Sequence, residues 1–216
     1  MKVIVAGSTG MVGSLVLQNC LNSNEINEVI SFVRKKTTSK HKKLTEIVIK
    51  DFEDYSGHTA EFKKTQTAYF CIGAYSGKVN DAMFKKITVD YAVKFAEALK
   101  RSSPKSTICL LSGSGSDQTE KSRVAFARYK GMAENQINNL KMKFYTFRPG
   151  YIYPVEPREE PNVFYKILRV IYPIIKIFGK RYSIKSTELA QAMFNVGLKG
   201  AEKTILENKD MFKYLV

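Results

Sequence analysis

Gly7-Ser8-Thr9-Gly10-Met11-Val12-Gly13 places two residues between each of three glycines. It follows the apolar run Lys2–Ala6 directly and precedes a helical face made by Leu15, Val16, Leu17 and Leu21. This order suits a dinucleotide-binding turn, in which the glycines give a tight exit from a buried strand, close approach of bare backbone to a pyrophosphate, and close packing of helix on strand. The pyrophosphate would rest on a helix N-terminus, where unpaired amides and the helix dipole favour negative charge. A plain structural turn is the alternative, and position separates the two, because this triplet lies between a β-branched strand and an amphipathic helix. Gly7, Ser8, Thr9, Gly10, Met11, Val12 and Gly13 are therefore candidate cofactor-binding residues. The next apolar stretch, Glu28–Val33, ends at Arg34, with Lys35 and Lys36 behind it. An acidic residue at that place binds the ribose hydroxyls of NAD, whereas a basic one accommodates the 2′-phosphate of NADP. With Arg34 and Lys35 there and no carboxylate nearby in the sequence, NADP(H) is expected in preference to NAD(H).

The elements that must position these residues follow from hydrophobic periodicity. Strands are expected at residues 2–6, 28–33, 46–50, 67–73, 106–111 and 143–147. One helix follows the glycine turn. A second carries Ile87, Tyr91, Phe95 and Leu99 on one face, and a third runs through Phe126 and Lys130 towards Leu140. A last helix should start at Ser186-Thr187-Glu188, with a hydroxyl cap and an acidic first turn. Strands alternating with helices imply an α/β fold, a doubly wound parallel sheet of the Rossmann type, whose ligands bind at the carboxyl ends of the strands. A single domain over residues 1–216 is expected, with a cofactor-binding core at 1–150 and a small helical substrate-side region at 151–216. Residues 151–161 read as a loop rich in proline and charge. Residues 162–178 are apolar with basic residues interspersed; they are read as a cover for the substrate cleft, with a membrane-surface helix as the sharper alternative, although Pro173 interrupts it.

A net charge of +15, from 35 basic against 20 acidic residues, favours anionic partners without choosing among them. The densest run, from Arg34 to Lys43, reads as a solvated loop, and nucleic-acid binding is disfavoured because no aromatic residues interleave with the charge. No apolar run approaches 18 uncharged residues, and the N-terminus lacks the features of a secretory signal, so a cytoplasmic location is expected. Cys20, Cys71 and Cys109 lie in apolar segments without metal-ligand spacing and read as reduced core residues. His41 and His58 sit in polar, loop-like contexts, which disfavours metal catalysis and Ser–His nucleophilic catalysis.

Several motifs in order resemble the short-chain dehydrogenase/reductase superfamily, in its atypical branch near the Tat-interacting protein and nucleotide-sugar epimerase-like proteins. They are the glycine turn, the arginine after the second strand, Asp51-Phe52, Cys71-Ile72-Gly73, Leu110-Leu111-Ser112, Lys130-Gly131, Phe147-Arg148-Pro149-Gly150 and Leu206-Glu207-Asn208-Lys209. The resemblance implies that Asp51 and Phe52 flank the adenine, that Cys71, Ile72, Gly73 and Ala74 lie along the cofactor, and that Pro149, Gly150, Tyr151 and Ile152 run beside the nicotinamide. It also implies a catalytic serine, a tyrosine, and a lysine four residues later that binds the ribose and lowers the tyrosine's pKa. Lys130 fits the lysine and Ser112 or Ser114 the serine, but the tyrosine position holds Phe126, which cannot donate a proton. Tyr129 points about 100° away from the Lys130 face, leaving Tyr75 and Tyr151 as other acids on cleft loops. Two functions compete: an oxidoreductase acting on a small carbonyl or nucleotide-sugar-like substrate, and a non-catalytic NADPH-sensing regulator or scaffold that docks a protein partner. Homo-oligomers are common in the superfamily.

Overall fold

The computed structural model describes residues 1–75, 77–156, 172 and 181–215. Seven strands form one sheet: β1 (Lys2–Ala6), β2 (Glu28–Val33), β3 (Leu44–Val48), β4 (Thr67–Phe70), β5 (Thr107–Leu111), β6 (Lys143–Arg148) and a late strand, Ile205–Glu207. The order is β3-β2-β1-β4-β5-β6 followed by the late strand, with every neighbouring pair parallel. Strands flanked on both faces need apolar side chains at nearly every position, and Val3 to Ala6 and Val29 to Val33 are buried throughout, Ser31 included.

Alternation along the strands divides the core into two layers. Ile4, Ala6, Ile30, Phe32, Ala68, Phe70, Ile108 and Leu110 face one layer, which is closed by α2 (Thr59–Phe62), α3 (Asp81–Lys85), α4 (Tyr91–Ser102) and α5 (Ala125–Asn139). Val3, Val5, Val29, Tyr69, Cys109, Tyr145 and Phe147 face the other. There α1 (Met11–Asn22) and α6 (Ser186–Lys199) cover the sheet. The sheet is thus doubly wound, as the alternation of elements predicts.

Five local expectations need correction. The third strand lies two residues earlier than expected, and the fourth stops at Phe70, so Cys71 to Ala74 leave the sheet. The second expected helix is interrupted by a π turn over Lys86–Asp90, in which the Tyr91 N–H donates to the Lys86 carbonyl. Residues 151–153 are not loop: β7 (Tyr151–Tyr153) pairs in parallel with β8 (Ser183–Lys185) in a separate two-stranded sheet. Ser186 is not the cap of α6, because its hydroxyl accepts from the Val155 N–H at 3.2 Å while Glu188 reaches back to the Lys185 N–H at 2.9 Å. The late strand is therefore β9, and the short helix α7 (Asn208–Met211) follows it. Apart from Tyr172, the apolar-basic segment 162–178 lies outside the described residues.

Candidate functional site

The chain runs outward from β1 through β2 to β3 and then restarts on the other side with β4, so the strand order reverses between β1 and β4. Open α/β sheets bind ligands in the crevice at the carboxyl ends of such strands. The glycine turn occupies that crevice. Gly7 adopts φ +85°, and a Cβ on it would lie 2.7 Å from the Cys71 carbonyl carbon. A Cβ on Gly13 would lie 2.1 Å from the Gly7 oxygen, so α1 can approach the turn this closely only with glycine there. The Gly10 N–H closes the turn onto Gly7 O at 3.0 Å, and α1 starts from Gly10 with no side chain capping it. Thr9 and Gly10 are exposed, whereas Ser8 is buried and its hydroxyl shares a 2.6 Å hydrogen bond with Ser31 of β2. Met11 is half-buried, and Val12 packs into the core.

The other predicted cofactor residues surround this turn. Arg34 and Lys35 stand exposed at the end of β2. Asp51 is exposed 3.9 Å from the Lys86 ammonium, which also pairs with Glu53. The Phe52 ring is buried against Tyr91, with centroids 5.6 Å apart, so only its backbone can face a ligand. The Cys71 N–H donates to Ala6 O at 2.8 Å, which starts the 71–74 segment beside the glycine turn. Ile72 and Ala74 are half-buried, and Gly73 is exposed. Burial pushes the Cys71 thiol up to about 12 against the opposing pull of Lys130, so it is not a thiolate nucleophile.

Lys130 projects from α5 to the end of β5, where its Nζ donates to the Leu111 carbonyl at 3.0 Å. Burial lowers its ammonium from near 10.5 to about 8, while Glu134 and Cys71 resist the fall. One turn earlier on α5 lies Phe126, whose Cζ would be 2.4 Å from a Cβ on Gly113, so the ring tip rests on the backbone between Ser112 and Ser114. The two candidate serines differ sharply. Ser112 is buried and donates to Glu134 at 2.5 Å, whereas Ser114 is exposed, with its N–H bound to Pro149 O at 2.8 Å. Tyr129 turns away from Lys130: its phenol donates to Asp81 on α3 at 2.6 Å.

Beyond β6, Pro149 is buried and the Gly150 N–H donates to Asn208 Oδ1 at 2.8 Å. The half-buried Tyr151 donates its N–H to Tyr182 O at 2.9 Å, and Ile152 pairs with Ile184 across the small sheet.

A polar core that no spacing in the sequence marks as a unit lies beneath these loops. Glu134 is fully buried and accepts from Ser112, Thr146 and the Arg148 guanidinium, through Nε at 3.0 Å and through Nη2. Arg148 also reaches Glu207 at 3.2 Å, so one chain of charges links α5, β6 and β9. The signal was the Glu134 position on the Lys130 face of α5 together with Arg148 in its motif, but only β9 pairing with β6 brings Glu207 to them. Above Glu207, a cleft of about 440 Å³ is lined by Ser114, Arg181, Tyr182, Glu207, Asn208 and Lys209.

These residues fit a dinucleotide. The uncapped start of α1 suits a pyrophosphate, exposed cations follow β2, and a buried ammonium stands at the end of β5. Residues 3–185 match the family model for the NAD dependent epimerase/dehydratase family. The chain belongs to this family. A curated relative, Protein FMP52, mitochondrial, from Meyerozyma guilliermondii, is 25% identical over 155 residues, or 70% of this chain and 65% of the relative's length. The match therefore spans less than two thirds of that relative. Among solved structures, MoeE5 in complex with UDP-glucose and NAD superposes with a TM-score of 0.71 at 14% identity, covering 95% of this chain and 75% of that one. A short chain dehydrogenase from Burkholderia cenocepacia in complex with NADP gives 0.70 at 14% identity, covering 95% and 86%. Bordetella bronchiseptica WbmG in complex with NAD gives 0.69 at 13%, covering 95% and 71%. These likenesses establish the fold, and the family carries nicotinamide cofactor binding. Among the described residues no helix is long and apolar enough to cross a membrane.

Proposed function

We propose that the protein is an NADP(H)-binding oxidoreductase acting on a small carbonyl or nucleotide-sugar-like compound. The observation that carries this reading is the glycine turn at the reversal point of the sheet, with the Lys130 ammonium buried across the same crevice. When bound, a nicotinamide would supply a hydride to a carbonyl carbon or accept one from the carbon of the corresponding alcohol. Arg34 and Lys35 would pair with the 2′-phosphate, the amides at the start of α1 would face the pyrophosphate, and Lys130 would hold the ribose hydroxyls. Ser114, exposed beside the Phe126 ring, is the serine able to reach a substrate oxygen. The structural neighbours crystallised with UDP-sugars or NADP support the substrate class and the cofactor by analogy.

Phe126 favours a second reading, an NADPH-sensing regulator or scaffold with a protein partner or a second copy of itself, because no phenol stands one turn before Lys130. The protein is placed by this proposal in the cytoplasm, and since the curated relative is named as mitochondrial, cell fractionation is the check. The primary test is calorimetric titration with NADPH and NADH, on the parent and on Arg34→Ala. NADPH binding that weakens tenfold or more in the variant, with NADH binding unchanged, supports the cofactor assignment; equal loss for both nucleotides refutes the 2′-phosphate contact. Oxidation of NADPH across a panel of aldehydes, ketones and sugar nucleotides then separates the two functions, since the sensing reading predicts binding without turnover.

A further inference from the structure

The cleft at the end of β9 is walled by the loop after β5, the turn before β8 and the junction of β9 with α7, and its polar groups divide into those spent on construction and those left facing the space. Asn208 is spent: its Oδ1 accepts from Gly150 and its Nδ2 donates to Ser183 O at 2.8 Å, which ties the end of β6 to β8. Glu207, the one carboxylate among the lining residues, is held by Arg148. Asp210, close to Lys209 in sequence, accepts from the Glu207 N–H at 3.1 Å and lies 3.5 Å from Lys203. Arg181 and Lys209 are exposed and have no carboxylate partner among the described residues. The Arg181 guanidinium instead lies 5.8 Å from the Tyr182 ring centroid. Two cations and the exposed Ser114 hydroxyl therefore share a concave space whose one carboxylate, half-exposed, is already paired with Arg148.

A cleft in which cations outnumber carboxylates two to one, with the carboxylate already paired, attracts counter-ions, and a guanidinium matches the paired oxygens of phosphate or carboxylate. We infer that this cleft is an anion subsite, and that Arg181 and Lys209 select small carbonyl substrates bearing a phosphate or carboxylate group. The volume of about 440 Å³ is near the lower end of ligand pockets and suits a compound of a few carbons. Ser114 joins the subsite to the rest of the crevice, because it lies on the loop whose Gly113 supports Phe126 and whose preceding residue, Leu111, holds Lys130. This inference rests on the function proposed above, and its test is arranged to fail separately.

The protein is first saturated with NADPH, so that cofactor-binding cations are occupied, and then titrated with inorganic phosphate and, separately, malonate. The parent is compared with Arg181→Gln, Lys209→Gln and the double variant. Lys199→Gln, an exposed lysine at the end of α6, serves as control. The expected result is at least tenfold weaker binding of one anion in the double variant and less than a twofold change in the control; the anion affected names the group. In turnover, phosphorylated or carboxylated carbonyl compounds should show a raised KM in Arg181→Gln with kcat little changed. Equal anion affinity in the parent and the double variant overturns the inference, as does binding of UDP-glucose through Arg181 with no binding of either small anion. Failure of NADPH to bind would refute the proposed function instead, and it is read before any anion is added.

Discussion

Replacing Lys130 with methionine should make the protein more stable near neutral pH, and the gain should fade as pH rises. The folded ammonium titrates near 8, whereas an unfolded lysine holds its proton to about 10.5. Below pH 8 both states are charged, and the folded state bears the cost of a buried charge. That cost is about 2.5 pH units at about 1.4 kcal/mol each, or about 3.5 kcal/mol. Between these two values unfolding takes up a proton, so the folded state gains stability with pH. About 2 kcal/mol of the cost should be recovered between pH 7 and pH 9.5. The three cysteines act in the opposite sense, since burial raises their thiols in the folded state and stability falls above pH 9. The parent's own pH profile therefore mixes opposing slopes, and the difference between parent and Lys130→Met isolates the lysine. Losing the hydrogen bond to Leu111 O subtracts about 1 kcal/mol at every pH. Urea unfolding at pH 7.0, 8.5 and 9.5 should thus show the variant ahead by about 2 kcal/mol at pH 7 and level with the parent near pH 9.5. A variant less stable at pH 7, or a gap that does not change with pH, would refute the reasoning. NADPH binding should weaken in the same variant, which is what a destabilising residue retained for function requires.

Gly13→Ala should destabilise by about 1–3 kcal/mol, since its Cβ would lie 2.1 Å from a backbone oxygen that cannot move aside, and it should weaken NADPH binding at least tenfold. Unchanged binding would mean that the turn does not carry the cofactor. Glu134→Ala should cost about 3–5 kcal/mol in chemical denaturation by leaving Arg148 half-paired in the core. Glu134→Gln should cost less and lower the titration of Lys130 further, read as a downward shift in the pH at which parent and variant differ. The ring tip of Phe126 rests on Gly113, so Phe126→Tyr adds a phenol beside Ser114. Carbonyl-dependent NADPH oxidation should rise by about 10²-fold or more. A variant no faster than the parent would place the proton source elsewhere.

The central strands were legible because a sheet covered on both faces demands continuous apolar runs, and β1, β2 and β5 supply them with little ambiguity. The glycine turn was legible for a different reason: each of its glycines answers a steric demand that spacing alone records. The three-residue strands were not. β7, β8 and β9 are too short for a periodic signal, and each pairs with a partner fixed by tertiary structure. The π turn at Lys86–Asp90 was also hidden, because one extra backbone residue barely disturbs the spacing of Ile87, Tyr91, Phe95 and Leu99.

The polar core shows the same division at the candidate site. Lys130 could be placed from the motif around it, but its neighbours could not. Ser112 reads as a reactive hydroxyl until the fold turns it onto Glu134, and Arg148 reads as a motif residue until β9 brings up Glu207. That pairing matters to the cleft, because a carboxylate held by Arg148 no longer competes for Arg181 and Lys209. Removing Arg148 should therefore act at a distance. In Arg148→Met, Glu207 loses its partner and becomes free to pair with the cleft cations. Anion binding to the NADPH-loaded protein should weaken while the affinity for NADPH itself holds. Equal loss of both would mean that Arg148 supports the fold as a whole rather than directing Glu207 away from the cleft.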